Sequence, residues 1–298
     1  MMRLNPIYKK ELKQNARTGK TALIIFFYNA ILSVFGLFAL FLVFNNNQKR
    51  GYHVEYSDIL TIYGIIIGIE YVLILFIIPA MTAGSISGER EKQTLEILLT
   101  TRISTLQIVL GKLASSISMM LLLAFSSMPI VAMVFSIGGI SFMDLIQFML
   151  LIITTAIFLG SIGIFFSSLC KKTTAATVCS YITVLVLTGG LAIIIFGINL
   201  LNPELGKGVS SNISYEAGYK YSEVVFILLI NPLFSFLALL NRQTGIGTYL
   251  GMSWNTQDQI RYFIANHWVE CSQILQLIIS CTLLVVSSKL LKPRKAKS

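Results

Sequence analysis

Charge is what this chain has least of. Only 12% of its 298 residues are Asp, Glu, Lys or Arg, against about 25% in a soluble domain. So few polar side chains cannot cover a water-facing surface, which excludes an ordinary soluble protein. Histidine is almost absent: His53 and His267 are far apart in sequence and too few to build a metal site. The four cysteines, Cys170, Cys179, Cys271 and Cys281, form no CxxC pair. They read as small buried hydrophobes rather than disulfide partners or zinc ligands. Acids number 13, and Glu70 alone falls well inside a long apolar run. A membrane-embedded enzyme would need clustered acids, histidines or a nucleophile there.

Hydrophobic residues are abundant, at 55% of the chain. They come in runs long enough to cross a hydrocarbon core of roughly 30 Å. The pattern predicts an all-α integral membrane protein with six transmembrane helices near Thr21 to Phe44, Ile59 to Ala83, Leu106 to Ser136, Phe142 to Cys170, Thr173 to Ile198 and His267 to Leu291. The first run is too long for a signal peptide, about 24 residues against 7–15, and Phe44-Asn45-Asn46-Asn47 offers no small-residue cleavage site. It reads as a retained span. Ser104-Thr105-Leu106-Gln107 spells a capping box before the third span, and Trp268 suits the interface belt before the last.

The stretch Val224 to Leu240 is short for a crossing and carries Asn231-Pro232 at its centre, where proline removes a helix hydrogen bond. Charge decides how to treat it. With six spans both termini face the same side. Lys49, Arg50, Lys207, Lys220, Arg242 and Arg261 then fall outside, and the other 17 of the 23 basic residues fall inside, as the positive-inside rule requires. A seventh crossing would put the basic tail, Lys289 to Lys297, outside. Val224 to Leu240 is therefore expected to be a re-entrant or outward-lying pair of short helices, with broken backbone covered by protein or water. Topology thus accounts for the net charge of +10. No compact basic domain is left to present a patch to nucleic acid.

The expected layout is one transmembrane domain over 1–298. Residues 1–20 form an interfacial helix, since Leu4, Tyr8 and Leu12 make an apolar stripe opposite lysines and Pro6 fits the first helical position. Residues 21–198 hold spans one to five, 199–266 lie outside or re-enter, 267–291 make the sixth span, and 292–298 are a basic cytoplasmic tail. The inside loop between spans two and three holds the densest charge cluster, Gly88-Glu89-Arg90-Glu91-Lys92, followed by Leu95, Leu98 and Leu99 on one helix face. Glu89 and Glu91 sit in a first turn, where the helix dipole favours them. A helix of this kind, over 86–101, suits docking into a partner's groove. The plainer alternative is a helix lying flat on the membrane.

The stretch Ile86-Ser87-Gly88-Glu89-Arg90-Glu91, Thr94-Leu95-Glu96, Leu98-Leu99-Thr100-Thr101, then Ile108-Val109 and Gly111-Lys112, resembles the ABC-2 family of transporter permeases. Asn5-Pro6-Ile7 with Lys10-Glu11-Leu12, and Asn231-Pro232-Leu233, are similar to that family too. Gln93 stands where a small residue is common in it. The resemblance implies a multi-pass permease of the plasma membrane with both termini cytoplasmic, working in export. It makes Gly88, Glu89, Arg90, Glu91, Thr94, Leu95, Leu98, Leu99, Thr100 and Thr101 a coupling helix that rests in a cleft of a separate ABC ATPase. It also implies two ATPase copies and a second permease, identical or related. This chain would carry no cofactor, ATP and Mg²⁺ belonging to the ATPase.

The chain's own phosphate-loop candidate, Gly19-Lys20-Thr21, fails. The pattern needs a glycine where Gln14 stands, and the match runs straight into a span. A secondary transporter would need no ATPase, but would show inverted repeats with matched interruptions, and Asn231-Pro232 has no counterpart in the first half. A non-catalytic membrane scaffold is a further alternative. Asn212-Ile213-Ser214 spells a glycosylation acceptor, a pattern common by chance. Glu70 is an intramembrane acid and so a candidate polar site; a hydrogen bond between helices, to a Ser or Thr, is the structural alternative. Gly64 and Gly68 form a GxxxG in the same helix, suited to close packing.

Overall fold

The computed structural model describes residues 6–50, 56–100, 103–136, 141–190, 193, 227–245, 263–264 and 266–292. Among the described residues there is no strand. Ten α-helices appear among them: α1 Pro6–Arg17, α2 Gly19–Arg50, α3 Tyr56–Ala83, α4 Ser87–Glu91, α5 Leu95–Leu99, α6 Thr105–Ser136, α7 Phe142–Leu169, α8 Thr173–Leu185, α9 Pro232–Thr244 and α10 Trp268–Leu290. Among the described residues, six stretches are long and apolar enough to cross a membrane: Thr21–Asn45, Asp58–Glu91, Thr105–Ala132, Phe142–Leu169, Thr173–Gly190 and Trp268–Leu290. They fall on the six runs expected from hydropathy. The chain forms two compact units, Met1–Tyr181 with Leu277–Ser298, and Ile182–Gln276.

In the first unit α3 is the centre, packed on α7, α2 and α6. The apolar stretch of α7 is 72% buried and that of the first span 22%, so α7 is a core helix and α2 a peripheral one. Lipid tails are as apolar as leucine, so packing rather than hydrophobicity must hold such helices together. Two glycines of α7 supply the close approach. A Cβ at Gly163 would lie 2.8 Å from Thr82 Cβ and 3.2 Å from the Ala83 backbone nitrogen, and one at Gly160 would lie 2.7 Å from Leu113 Cδ1. The glycine pair expected to pack was Gly64 and Gly68. Gly68 instead has nothing within 4 Å of where its Cβ would stand.

The capping box at Ser104 forms. Gln107 N–H donates to Ser104 Oγ (3.3 Å), and Ser104 N–H donates to Gln107 Oε1 (3.1 Å). Ser141 and Asp144 make a second one at the start of α7. The N-terminal helix α1 lies along α6, with Ile7 buried and the Tyr8 hydroxyl 2.9 Å from Ser118 Oγ. Its apolar contact is thus made through Ile7, while Leu12 of the expected stripe is exposed.

In the second unit, Asn231 and Pro232 begin a helix rather than break one. Asn231 Oδ1 accepts from the backbone N–H of Leu233 (2.9 Å) and Phe234 (3.3 Å), which is an N-cap. Pro232 takes the first helical position, where its missing N–H costs nothing. A short 3₁₀ turn, Leu228–Ile230, precedes it. The Asn231 amide also donates to the Thr188 carbonyl (3.2 Å), inside the π-turn Val186–Gly190. Trp268 stacks edge-on against Phe234, ring centres 5.5 Å apart. Polar groups close the rest: Ser235 bonds Ser272, whose hydroxyl donates to the Leu229 carbonyl at 2.6 Å. With 13 residues, α9 is about 20 Å long, too short to cross. Val224 to Phe226, the start of the expected short pair, lie outside the described residues.

Candidate coupling site

The loop joining α3 to α6 was expected to hold one helix over 86–101. It holds two, α4 and α5, with an elbow at Lys92–Thr94. The elbow is a helix stop of recognisable geometry. Gln93 has φ 56°, its N–H bonds the Arg90 carbonyl (3.1 Å), and the Thr94 N–H bonds the Glu89 carbonyl (2.9 Å). These are the two bonds of a Schellman ending, which places one left-handed residue after the helix. Glycine suits that position because it has no Cβ to clash.

The charged residues of α4 are bonded to the chain's own span ends. Glu89 Oε1 accepts from Lys112 Nζ at 2.8 Å. The Arg90 guanidinium donates to the carbonyls of Cys170 (2.8 Å) and Ser168 (3.0 Å), groups that the end of α7 leaves without helical partners. Glu91 accepts from the Thr173 N–H (2.9 Å) and hydroxyl (3.0 Å) at the start of α8, where the dipole favours a carboxylate. The start of α4 has no cap of its own. Ser167 of α7 serves instead, its Oγ accepting from the N–H of Ile86 and of Ser87, both at 2.9 Å. Gly88 sits over α8: a Cβ there would be 3.5 Å from Thr173 Cγ2.

Lys112 is the residue that sequence reasoning missed. It was counted as one more inside charge, yet its side chain is only 2% exposed. Its ammonium has three donors and three acceptors: Glu89 (2.8 Å), Glu11 of α1 (3.1 Å) and the Ser85 carbonyl (2.8 Å). It thereby ties α1, the loop and α6 to one point. A lysine inside an apolar run, with glutamates in two neighbouring interfacial segments, was the available signal.

The leucines divide differently from the charges. Leu95 is buried in a cluster with Ile86, Val109, Leu113, Ile164, Leu284 and Leu291, and Leu99 packs against it. Leu98 is half-buried. The outer side carries exposed Lys92, Gln93, Thr94, Glu96 and Thr100, and among them Ile97, 68% exposed. Thr101 lies outside the described residues.

Glu70 is held between three helices, its Oε1 accepting from Ser127 Oγ of α6 (2.6 Å) and the Tyr28 hydroxyl of α2 (3.2 Å). Ser127 is thus the interhelical serine, and Tyr28 a second partner that sequence reasoning did not foresee. Gly19-Lys20-Thr21 opens α2 and forms no loop that could wrap a phosphate. No curated protein matches the chain. The family model described as ABC-2 family transporter protein matches residues 5–290. A match over almost the entire length, on a six-span helical chain whose Gly-Glu-Arg-Glu loop knits together its span ends, places it: the chain belongs to the ABC-2 family of transporter proteins.

Proposed function

We propose that this chain is the permease subunit of an ATP-driven exporter, paired with a second permease and served by two ATPase chains that bind ATP and Mg²⁺. The observation that carries the reading is the two-faced loop from Ser87 to Thr100. Its inner face is bonded to α6 through Glu89, to α7 through Arg90 and Ser167, and to α8 through Glu91. Its outer face presents Ile97 among polar side chains, the pattern of an apolar anchor with a polar rim. Force applied to the outer face reaches three spans at once. The bias of basic residues supports a cytoplasmic position for this loop and both termini, on the side where an ATPase works. The charged residues of α4 hold the spans, and the ATPase meets the elbow and α5.

The test uses the full-length permease in nanodiscs with the ABC ATPase that co-purifies with it. Burying an isoleucine contributes about 1.5–3 kcal/mol, and an aspartate there would also carry its charge into the contact. Ile97→Asp should therefore weaken ATPase binding at least about tenfold, since 1.4 kcal/mol is one decade. Glu96→Gln at the rim should change it by less than about threefold, because exposed charges contribute about 0–1 kcal/mol. If Ile97→Asp binds and is stimulated like wild type, the loop is not the docking surface. A mass of the intact complex containing one permease would refute the pairing.

A further inference from the structure

Glu70 stands near the middle of α3, with 1% of its surface exposed, and only one of its two carboxyl oxygens is satisfied. Oε1 accepts both hydroxyls, Tyr28 and Ser127, while Oε2 has no partner. No Lys, Arg or His pairs with it among the described residues. The titratable groups around it are Tyr28 from α2 and, on α3 itself, Tyr63 and Tyr71. Tyr71 is turned to Thr155 of α7 at 3.0 Å. Tyr63 is within electrostatic reach of both Glu70 and Asp144 of α7. From α6 comes the hydroxyl of Ser127. Two neutral donors cannot offset a whole negative charge taken out of water, which costs several kcal/mol when unpaired.

A second observation points the same way. Asn29, next to Tyr28 on α2, gives its amide nitrogen to the Ile25 carbonyl (3.0 Å) and to Ser126 Oγ (2.9 Å), the neighbour of Ser127. Its buried Oδ1 is left without a donor. Asn29 Oδ1 of α2 and Glu70 Oε2 of α3 are thus two buried acceptors without a donor, on residues whose neighbours and partners are Tyr28, Ser126 and Ser127. An excess of acceptors in a dry interior calls for a positive charge. The surroundings are all oxygen, from carboxyl, amide and hydroxyl groups, which suits a hard ion. A single carboxylate with one unpaired oxygen matches a single positive charge, so the site suits a small monovalent species.

We propose that Glu70, with Tyr28 and Ser127, binds one positive charge, a proton or a sodium ion, in the interior of the spans. The occupant neutralises the carboxyl and fixes α2, α3 and α6 together. A rearrangement that separates these helices releases it to water.

The experiment follows thermal unfolding of the full-length protein in detergent, from acid to alkaline pH, in sodium chloride and in choline chloride of equal ionic strength. A cation bound only by the assembled spans raises the midpoint by roughly 5–10 °C at a hundredfold excess over its dissociation constant. Wild type should therefore be stabilised towards acid pH if the occupant is a proton, or by sodium over choline if it is sodium. Glu70→Gln keeps the shape and removes the charge, so it should lose that response. Should Glu70→Gln fail to accumulate, Ser127→Ala removes one ligand and keeps the carboxyl. Its response should be displaced from wild type. The proposal is overturned if wild type and the variant respond alike to both pH and sodium.

Discussion

Replacing Lys112 by methionine keeps the length of the side chain and deletes the ammonium that α1, α4 and α6 share. Three acceptors lose their donor together: Glu11, Glu89 and the Ser85 carbonyl. Breaking a buried ion pair from one side costs about 3–5 kcal/mol. The two glutamates retain 26% and 29% side-chain exposure, so water takes over part of the lost interaction, and about 2–3 kcal/mol is the expected loss. That loss belongs to the attachment of α1 and α4 rather than to the insertion of α6, whose apolar stretch is untouched. Hydrogen exchange in nanodiscs reads the attachment directly. At about 1.36 kcal/mol per decade, amides of α1 and α4 should exchange about 30- to 150-fold faster, while the middle of α7 stays as it was. Glu11→Gln should loosen α1 alone and Glu89→Gln α4 alone, each by about tenfold or less. Acceleration confined to the first turns of α6, or no acceleration at all, would show that Lys112 is an ordinary interfacial lysine.

The elbow, the crossing and the capping arginine each give a further expectation. Gln93→Gly should leave the thermal midpoint within about 2 °C of wild type, because relief of left-handed strain, roughly 1 kcal/mol, is offset by glycine's freedom in the unfolded chain. Gln93→Val should lower the midpoint, through a loss of stability of about 1–2 kcal/mol. Gly163→Ala should prevent accumulation of folded protein, since its methyl would meet Thr82 and the Ala83 backbone, whereas Gly88→Ala should express and dock normally; fluorescence-detected size exclusion separates the two. Arg90→Lys should uncouple ATP hydrolysis from transport more than it lowers expression, because one ammonium cannot span the two carbonyls that the guanidinium fork reaches; equal loss of both would count against a coupling role. A cysteine placed at Ser210 should react with an impermeant thiol reagent from outside, and labelling from the cytoplasmic side only would overturn the topology.

The spans were legible because a bilayer sets their length and composition, and the other apolar stretch, Val224 to Leu240, is short for a crossing and interrupted by Asn231-Pro232. The capping box at Ser104 was legible because its two partners are three residues apart. The elbow was not. The residues on either side of the break, Ser87 to Glu91 and Leu95 to Leu99, read as one continuous helix, and the residue that turns left-handed is a glutamine, with no glycine to announce it. Charge counting hid Lys112, since a tally by side of the membrane treats a lysine in water and a lysine with three partners alike. The two glycine pairs pose the same difficulty. Gly64 and Gly68 have the right spelling, but what decides is whether a neighbouring backbone arrives, as Thr82 and Ala83 do at Gly163. The inward direction of the α4 charges was equally invisible, because their partners, Ser168, Cys170 and Thr173, lie about 80 residues downstream.

The knot at Lys112 also orders events during synthesis. Glu11 leaves the ribosome 101 residues ahead of the lysine that binds it, an interval of roughly 5–20 s at about 5–20 residues per second. Throughout that interval Glu11 waits without the ammonium that it pairs with in the folded chain. Its docking must follow arrival of the third span, and Glu89, 23 residues ahead of Lys112, docks at the same moment. A nascent chain halted before Lys112 would therefore carry an N-terminal helix open to proteolysis, and one released after it an N-terminal helix tied to the loop and to α6.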